Sequence, residues 1–155
     1  MEHTHDHFMR IALREARAAL DDGEVPVGAV IVADNTVIGR AHNQMERLKD
    51  ATAHAEIIAL TQAASALNDW RLDKCTMYVT LEPCAMCAGA LVQSRMKTVV
   101  FGVRDWQQGG ALSNFGIVHY PKNTHRVEVI EGTLEQECKE LLNEFFATLR
   151  SKKTS

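Results

Sequence analysis

A chain of 155 residues with 46% apolar and 24% charged residues can build one domain with a sizeable core and is too short for two comfortable ones. A formal net charge of -3 argues against general, sequence-independent binding of nucleic acid, and no apolar run approaches membrane-spanning length. The opening "MEHTHDHFMR" is too polar for a signal peptide, so the expected compartment is the cytoplasm, where four cysteines serve as ligands or buried thiols rather than disulfides.

The stretch "HDHFMRIALREARAALDDG" repeats apolar residues at helical spacing (Phe8, Ile11, Ala12, Ala16, Ala19, Leu20) and stops at Gly23. "VPVGAVIVADNTVIGRAHN" holds two β-rich runs around Asp34 and Asn35, which predicts a hairpin. "TAHAEIIALTQAASAL" predicts an Ala-rich helix packed well into the body of the fold. "CTMYVTLE" reads as a strand, and "PCAMCAGALVQSR" as a helix with Pro83 at its first position. "KTVVFGV" is the next strand. A long aperiodic stretch, "RDWQQGGALSNFGIVHYPKN", has the character of a functional or mobile segment. "HRVEVIEG" then alternates as a strand, and "TLEQECKELLNEFFATLR" predicts an amphipathic helix from Thr133 with Leu134, Cys138, Leu141, Leu142, Phe145 and Leu149 on its apolar side. No repeat, linker or low-complexity segment divides the chain. The expectation is a single domain over residues 1–155, its core at about 8–150, with an α/β sheet carrying helices on both faces.

Charge is unevenly spread. From Leu91 to Glu131, Arg95, Lys97, Arg104, Lys122 and Arg126 face only Asp105, Glu128 and Glu131. Arg150, Lys152 and Lys153 form a second basic cluster. Solvated surface charge explains both; a local basic face suited to one folded RNA is the alternative.

Cys84 and Cys87, three positions apart after Pro83, fit a redox pair, half of a structural zinc site or two legs of a catalytic one. His3, His5 and His7 sit in a polar terminus, His119 and His125 in the long loop, and His42 after a strand. His54 differs, because Glu56 follows two residues later. Two positions apart on a helix point in nearly opposite directions, so both reach one small site only if it lies off the helix's N-terminal end. Cys84 and Cys87 make the same demand of their own helix start. Two converging helix N-termini favour thiolates. One histidine, two thiolates and an open fourth position describe catalytic zinc, with Glu56 beside the water as proton carrier. A redox pair has no use for a distant His-x-Glu. Structural zinc lacks a fourth ligand unless Cys75 supplies it.

The order "HAE" then "PCAMC" is the H-x-E…P-C-x-x-C signature of zinc-dependent nucleobase deaminases. Beyond it, "EVPVGAVIV", "AHNQ", "TAHAEIIAL", "MYVTLEPCAMCAGALVQSR", "VVFGVRD" and "HRVEV" together resemble the bacterial tRNA adenosine deaminases over most of residues 8 to 150. The resemblance implies a three-layer α/β/α cytidine-deaminase-like fold with a mixed sheet of about five strands, one zinc ion per chain, a homodimer, and a wobble adenosine in the anticodon stem-loop of an arginine tRNA as substrate. It places the metal ligands on His54, Cys84 and Cys87, the proton shuttle on Glu56, and substrate contacts on Asn43, Asp105 and Val27. The chain departs from the family in "WQQGGALSNFG", which lacks a lysine usual after the aspartate, and in Thr124-His125-Arg126 where Asn-His-Arg is usual. A deaminase of a free base, nucleoside or nucleotide would use the same zinc site and is the alternative.

Overall fold

The computed structural model describes residues 2–154. Helix α1 (His5–Asp21) leads into a hairpin of β1 (Gly28–Ala33) and β2 (Thr36–His42), followed by a single-turn helix α2 (Met45–Leu48) and α3 (Ala55–Leu67). Strand β3 (Cys75–Leu81), helix α4 (Ala85–Gln93) and strand β4 (Thr98–Val103) come next, then the long loop with one 3-10 turn at Ile117–His119, strand β5 (Glu128–Glu131) and helix α5 (Glu135–Thr154). The strands form one sheet in the order β2-β1-β3-β4-β5. Strand β1 is antiparallel to both neighbours, and β3, β4 and β5 run parallel.

The hairpin turns where the sequence predicted it. Asp34 and Asn35 both take positive φ, 49° and 62°, the left-handed pair that a two-residue turn between twisted strands requires and that Asp and Asn tolerate. Helices α2 and α3 end by the same chemistry, with Lys49 and Asn68 in the left-handed region.

Alternation along the strands separates two cores. Ala29, Ile31, Met77, Val79, Val99 and Phe101 face Ala55, Ala59 and Ala63 of α3 and Ala88 and Leu91 of α4. Val30, Val32, Tyr78 and Val100 face Phe8, Met9, Ile11 and Ala12 of α1 and Cys138 of α5. The fold is therefore the expected three-layer α/β/α arrangement around a mixed five-stranded sheet. Glycine sets the layer spacing at two points: a Cβ on Gly28 would overlap the Ala12 carbonyl of α1, and one on Gly39 would overlap the Ala59 carbonyl of α3. Phe101 lies fully buried at the centre, where its burial contributes roughly 2–3 kcal/mol.

Three details depart from expectation. Helix α4 starts at Ala85 with Cys84 as its N-cap, so Pro83 stands just before the helix rather than at its first position. Helix α5 starts at Glu135, because Leu134 has φ 50° and cannot belong to it. The short α2 has too few residues to leave a period in the sequence. No helix among the described residues is long and apolar enough to cross a membrane.

Strand directions gather four chain segments at one edge. Gly28 opens β1 beside His42 at the end of β2, and its N–H donates to Thr80 Oγ1 near the end of β3. Leu81, the last residue of β3, pairs with Val103, the last of β4. Ligand sites in open α/β sheets form at the carboxyl ends of parallel strands. Here the start of β1 and the exit of β2 join that edge.

Candidate active site

Helices α3 and α4 both point their N-termini at this edge. The N-cap of α3 is His54 and that of α4 is Cys84, each in extended backbone (ψ 150° and 178°) and neither using its side chain to cap. An N-cap side chain normally folds back on the helix's first N–H groups. These two reach forward instead. Because His54 lies outside the helical turn, it and Glu56 share one site despite standing only two residues apart. Cys87, in the first turn of α4, faces the same point.

The donor atoms of His54, Cys84 and Cys87 all lie within 4.8 Å of one another. His54 Nδ1 is 3.6 Å from each sulfur. A tetrahedral ion with bonds of about 2.0–2.3 Å needs donor–donor edges of roughly 3.5 Å, and the two edges from His54 match that separation. Two soft sulfurs and an imidazole nitrogen suit zinc among the common divalent ions. Cys75 begins β3 at the far end of that strand and is not part of the group, so the alternative of a fourth cysteine ligand falls away. All four cysteines carry free thiols.

Electrostatics follow the geometry. Cys84 is held down to about 4, chiefly by its hydrogen bond from Cys87 and then by His54. Cys87 is driven upward by that same shared proton and by burial. His54 is raised through its contact with Cys84. Glu56 is only 3% exposed, and burial pushes its carboxyl up to about 7. It shares a hydrogen bond with Cys87 and stands at the rim of the donor group rather than among the three.

His54, Glu56 and Cys84 line the floor of a cavity of about 240 Å³, walled by Val25, Val27, Asn43, Met45, Leu81, Glu82, Asp105 and Gln108, with Cys87 fully buried against His54. Six of the seven residues singled out in the sequence thus line one cavity, and the seventh, Cys87, stands with His54 and Cys84 in the donor group. Asn43 has a structural duty as well: its side-chain Oδ1 accepts the Ala55 N–H at 2.8 Å, supplying from outside the cap that His54 does not give α3. Its backbone N–H donates to the Val27 carbonyl, which holds the two residues side by side. Asp105 Oδ1 accepts from the N–H groups of Gln107 and Gln108 and so fixes its own turn.

Several lining residues left no readable mark in the sequence. Glu82, 2% exposed, takes backbone N–H groups from the long loop, a partnership set by tertiary contact alone. A second groove of about 520 Å³ shares Val25, Leu81, Asp105 and Gln108 with the cavity and adds Arg104, Trp106, Leu142 and Phe146. The Trp106 ring is 68% exposed, with the Arg104 guanidinium 5.0 Å from its centroid and tied to Glu131 by two hydrogen bonds of 2.9 and 3.0 Å. A tryptophan in an aperiodic run is the one sequence signal that could have pointed there.

The chain matches the family model of MafB19-like deaminases over residues 3–150. It is 49% identical to a tRNA-specific adenosine deaminase of Aquifex aeolicus over 146 residues, covering 94% of this chain and 96% of that one. It is 45% identical to a protein of the same description from Bacillus subtilis, covering 94% and 91%. A solved structure from a study of A-to-I editing by tRNA:A34 deaminases at the wobble position of transfer RNA superposes with a TM-score of 0.85 at 43% identity, covering 88% of this chain and 99% of that one. A nearly full-length match in sequence and in fold, with the three-donor corner and its buried glutamate at the bottom of the cavity, makes this chain an enzyme of the deaminase family, among the tRNA-specific adenosine deaminases.

Proposed function

We propose that this enzyme hydrolyses adenosine to inosine at the wobble position of a tRNA anticodon, an arginine tRNA by family resemblance, using one zinc ion held by His54, Cys84 and Cys87. The observation that carries the proposal is the juxtaposition of three metal-donor atoms with the buried Glu56 carboxyl at the floor of a base-sized cavity. Relatives at 45–49% identity that bear the name tRNA-specific adenosine deaminase support the substrate class.

Zinc in that corner would supply Lewis acidity, allowing a water to lose its proton near neutral pH. The chain's own residues do the rest. Glu56 takes the water proton and passes it to the ring nitrogen next to C6 as the water oxygen bonds to that carbon. A second proton moves through the same carboxyl to the exocyclic nitrogen, the C6–N bond breaks, and ammonia leaves with inosine as product. Asn43 already gives its oxygen to Ala55, so its NH2 group is left to donate to the base. Val27 packs the base face, and Asp105 borders the mouth, where the neighbouring nucleotides would lie.

An RNA loop suits this cavity because a loop base is extruded at least cost. The adjoining groove of Trp106 and Phe146 supports the same reading, as an exposed indole is a stacking platform for a flanking base. A homodimer and a cytoplasmic setting, where free thiols persist, belong to the proposal; sedimentation of the purified protein tests the first. The deciding experiment compares an anticodon stem-loop bearing a wobble adenosine with free adenosine and with cytidine. The stem-loop is expected to be deaminated far more efficiently. Equal efficiency on free adenosine overturns the RNA reading, and preference for cytidine or a free base moves the enzyme to the nucleoside and free-base class.

A further inference from the structure

We infer that Glu82 is a positioning residue, whose carboxylate locks the substrate-side loop of residues 105–113 onto the turn that carries Cys84. The inference rests on the RNA-deaminase reading of the site only in assigning that loop to substrate.

Each Glu82 oxygen accepts two hydrogen bonds. Oε1 takes the Asp105 N–H at 3.1 Å and the Ser113 hydroxyl at 2.5 Å; Oε2 takes the N–H groups of Leu112 at 2.8 Å and Ser113 at 2.9 Å. A buried carboxylate with four donors on its two oxygens has its acceptor capacity well used, and all four donors come from the two ends of one loop. Between those ends the loop lies against residues 83–85. The N–H groups of Gly110 and Ala111 donate to the Pro83 carbonyl, and Gly109 bridges to Cys84. Glycine is required there: a Cβ on Gly109 would stand 2.6 Å from the Glu82 carboxylate, and one on Gly110 would overlap the backbone of Ala85.

Glu82 is two residues from a metal-donor cysteine, yet its bonds all go to the opposite wall. Those bonds set where Asp105 and Gln108 stand in the cavity. Without them the loop keeps its contacts with Pro83 and Cys84 and the packing of Ala111 and Leu112 against the core, while its Asp105 end is free to move away. Glutamine cannot substitute. An NH2 placed at either oxygen position would face backbone N–H, donor against donor, in a buried site.

The test uses the zinc-loaded full chain. Glu82→Gln is expected to keep its zinc by elemental analysis, hold kcat on the anticodon stem-loop within about threefold, raise KM by about tenfold or more, and speed hydrogen exchange at the Leu112 and Ser113 amides. Loss of zinc, an unchanged KM, or a fall in kcat alone would overturn the inference. Should Glu82→Gln fail to fold, Ser113→Ala removes one of the four bonds and should raise KM by about threefold with kcat unchanged; no change in KM there also refutes it. Hydrogen exchange separates this outcome from the function itself. If the wild-type enzyme ignores the stem-loop but Glu82→Gln still frees those two amides, the substrate assignment fails while the anchor stands.

Discussion

On one wall of the cavity, His54, Glu56 and Cys84, with Cys87 buried against them, come from the first residues of two helices, and each pair is two or three positions apart in the chain. On the other wall, Asp105 and Gln108, with Trp106 in the adjoining groove, come from a loop that has no strand or helix of its own up to Ile117. The first wall is built locally: an N-cap and the turn after it aim both side chains, and sheet topology needs only to bring two helix starts together. The second wall is built remotely, by carboxylate, carbonyl and glycine contacts to residues more than twenty positions away. A locally built wall tolerates little chemical change, and a remotely held one can be retuned. One of the two departures from the family resemblance, "WQQGGALSNFG", accordingly falls in this loop.

The sharpest way to break this comparison is at a metal donor. Cys87→Ala removes one of the three proposed ligands, and no fourth donor joins that group among the described residues. We expect zinc to fall well below one per chain and deamination to be lost, with chelation of the wild-type protein giving the same loss. Elemental analysis beside a stem-loop assay checks it; full, tightly held zinc in the variant would contradict the ligand set.

Glu56→Ala comes next and separates the two jobs within the first wall. Glu56 is adjacent to the donors without being one of them, so the metal should stay while turnover drops by about 10²–10⁴-fold, the range for loss of a general acid–base group. Zinc loss would make Glu56 a ligand, and normal turnover would remove it from the proton path.

How much was legible in the sequence divides along the same line. The hairpin at Asp34 and Asn35 and the Cys84/Cys87 spacing are local signals that appear where they were read, and the Ala-rich helix read over "TAHAEIIALTQAASAL" forms from Ala55, with His54 as its N-cap rather than in its first turn. The two-core alternation of β1, β3 and β4 was also local, because each strand carries both faces in its own period. Glu82 was not legible. An acid before proline looks like a solvated strand end, and only the fold shows four donors converging on it. Helix α2 was missed because one turn has no period. Asn43 was assigned to substrate by resemblance, and the structure adds a duty that the sequence did not reveal, capping α3 across a gap of twelve residues.

Trp106 sharpens the second wall. Its ring is exposed beside the cavity, and Arg104, drawn toward Glu131, holds a guanidinium against it. If that indole stacks a flanking base, Trp106→Ala should raise KM for the stem-loop by about tenfold, within the 1–3 kcal/mol of one base–aromatic stack, and leave kcat and zinc unchanged. A drop in kcat instead would mean that Trp106 helps to seat the reacting base itself.

The smallest expected effect concerns charge. In the basic stretch from Leu91 to Glu131, Arg104 is committed to Glu131, while Lys122 and Arg126 are exposed. With the chain carrying a net charge of -3, two phosphate contacts are the reasonable count for that stretch. At a slope of about -0.7 per contact for single strands, log K should fall by roughly 1.4 per decade of salt, so binding weakens about fivefold between 0.1 and 0.3 M. Fluorescence titration of a labelled stem-loop across that range measures the slope. A value near -5 would mean that bulk attraction, through the Arg150, Lys152 and Lys153 cluster as well, dominates recognition. A value near zero would leave shape and stacking as the whole of it. The intermediate slope is the one expected of a wall that grips a folded loop through a few particular contacts, and doubling the charge by Gln107→Lys and Gln108→Lys should steepen it by about the same increment again.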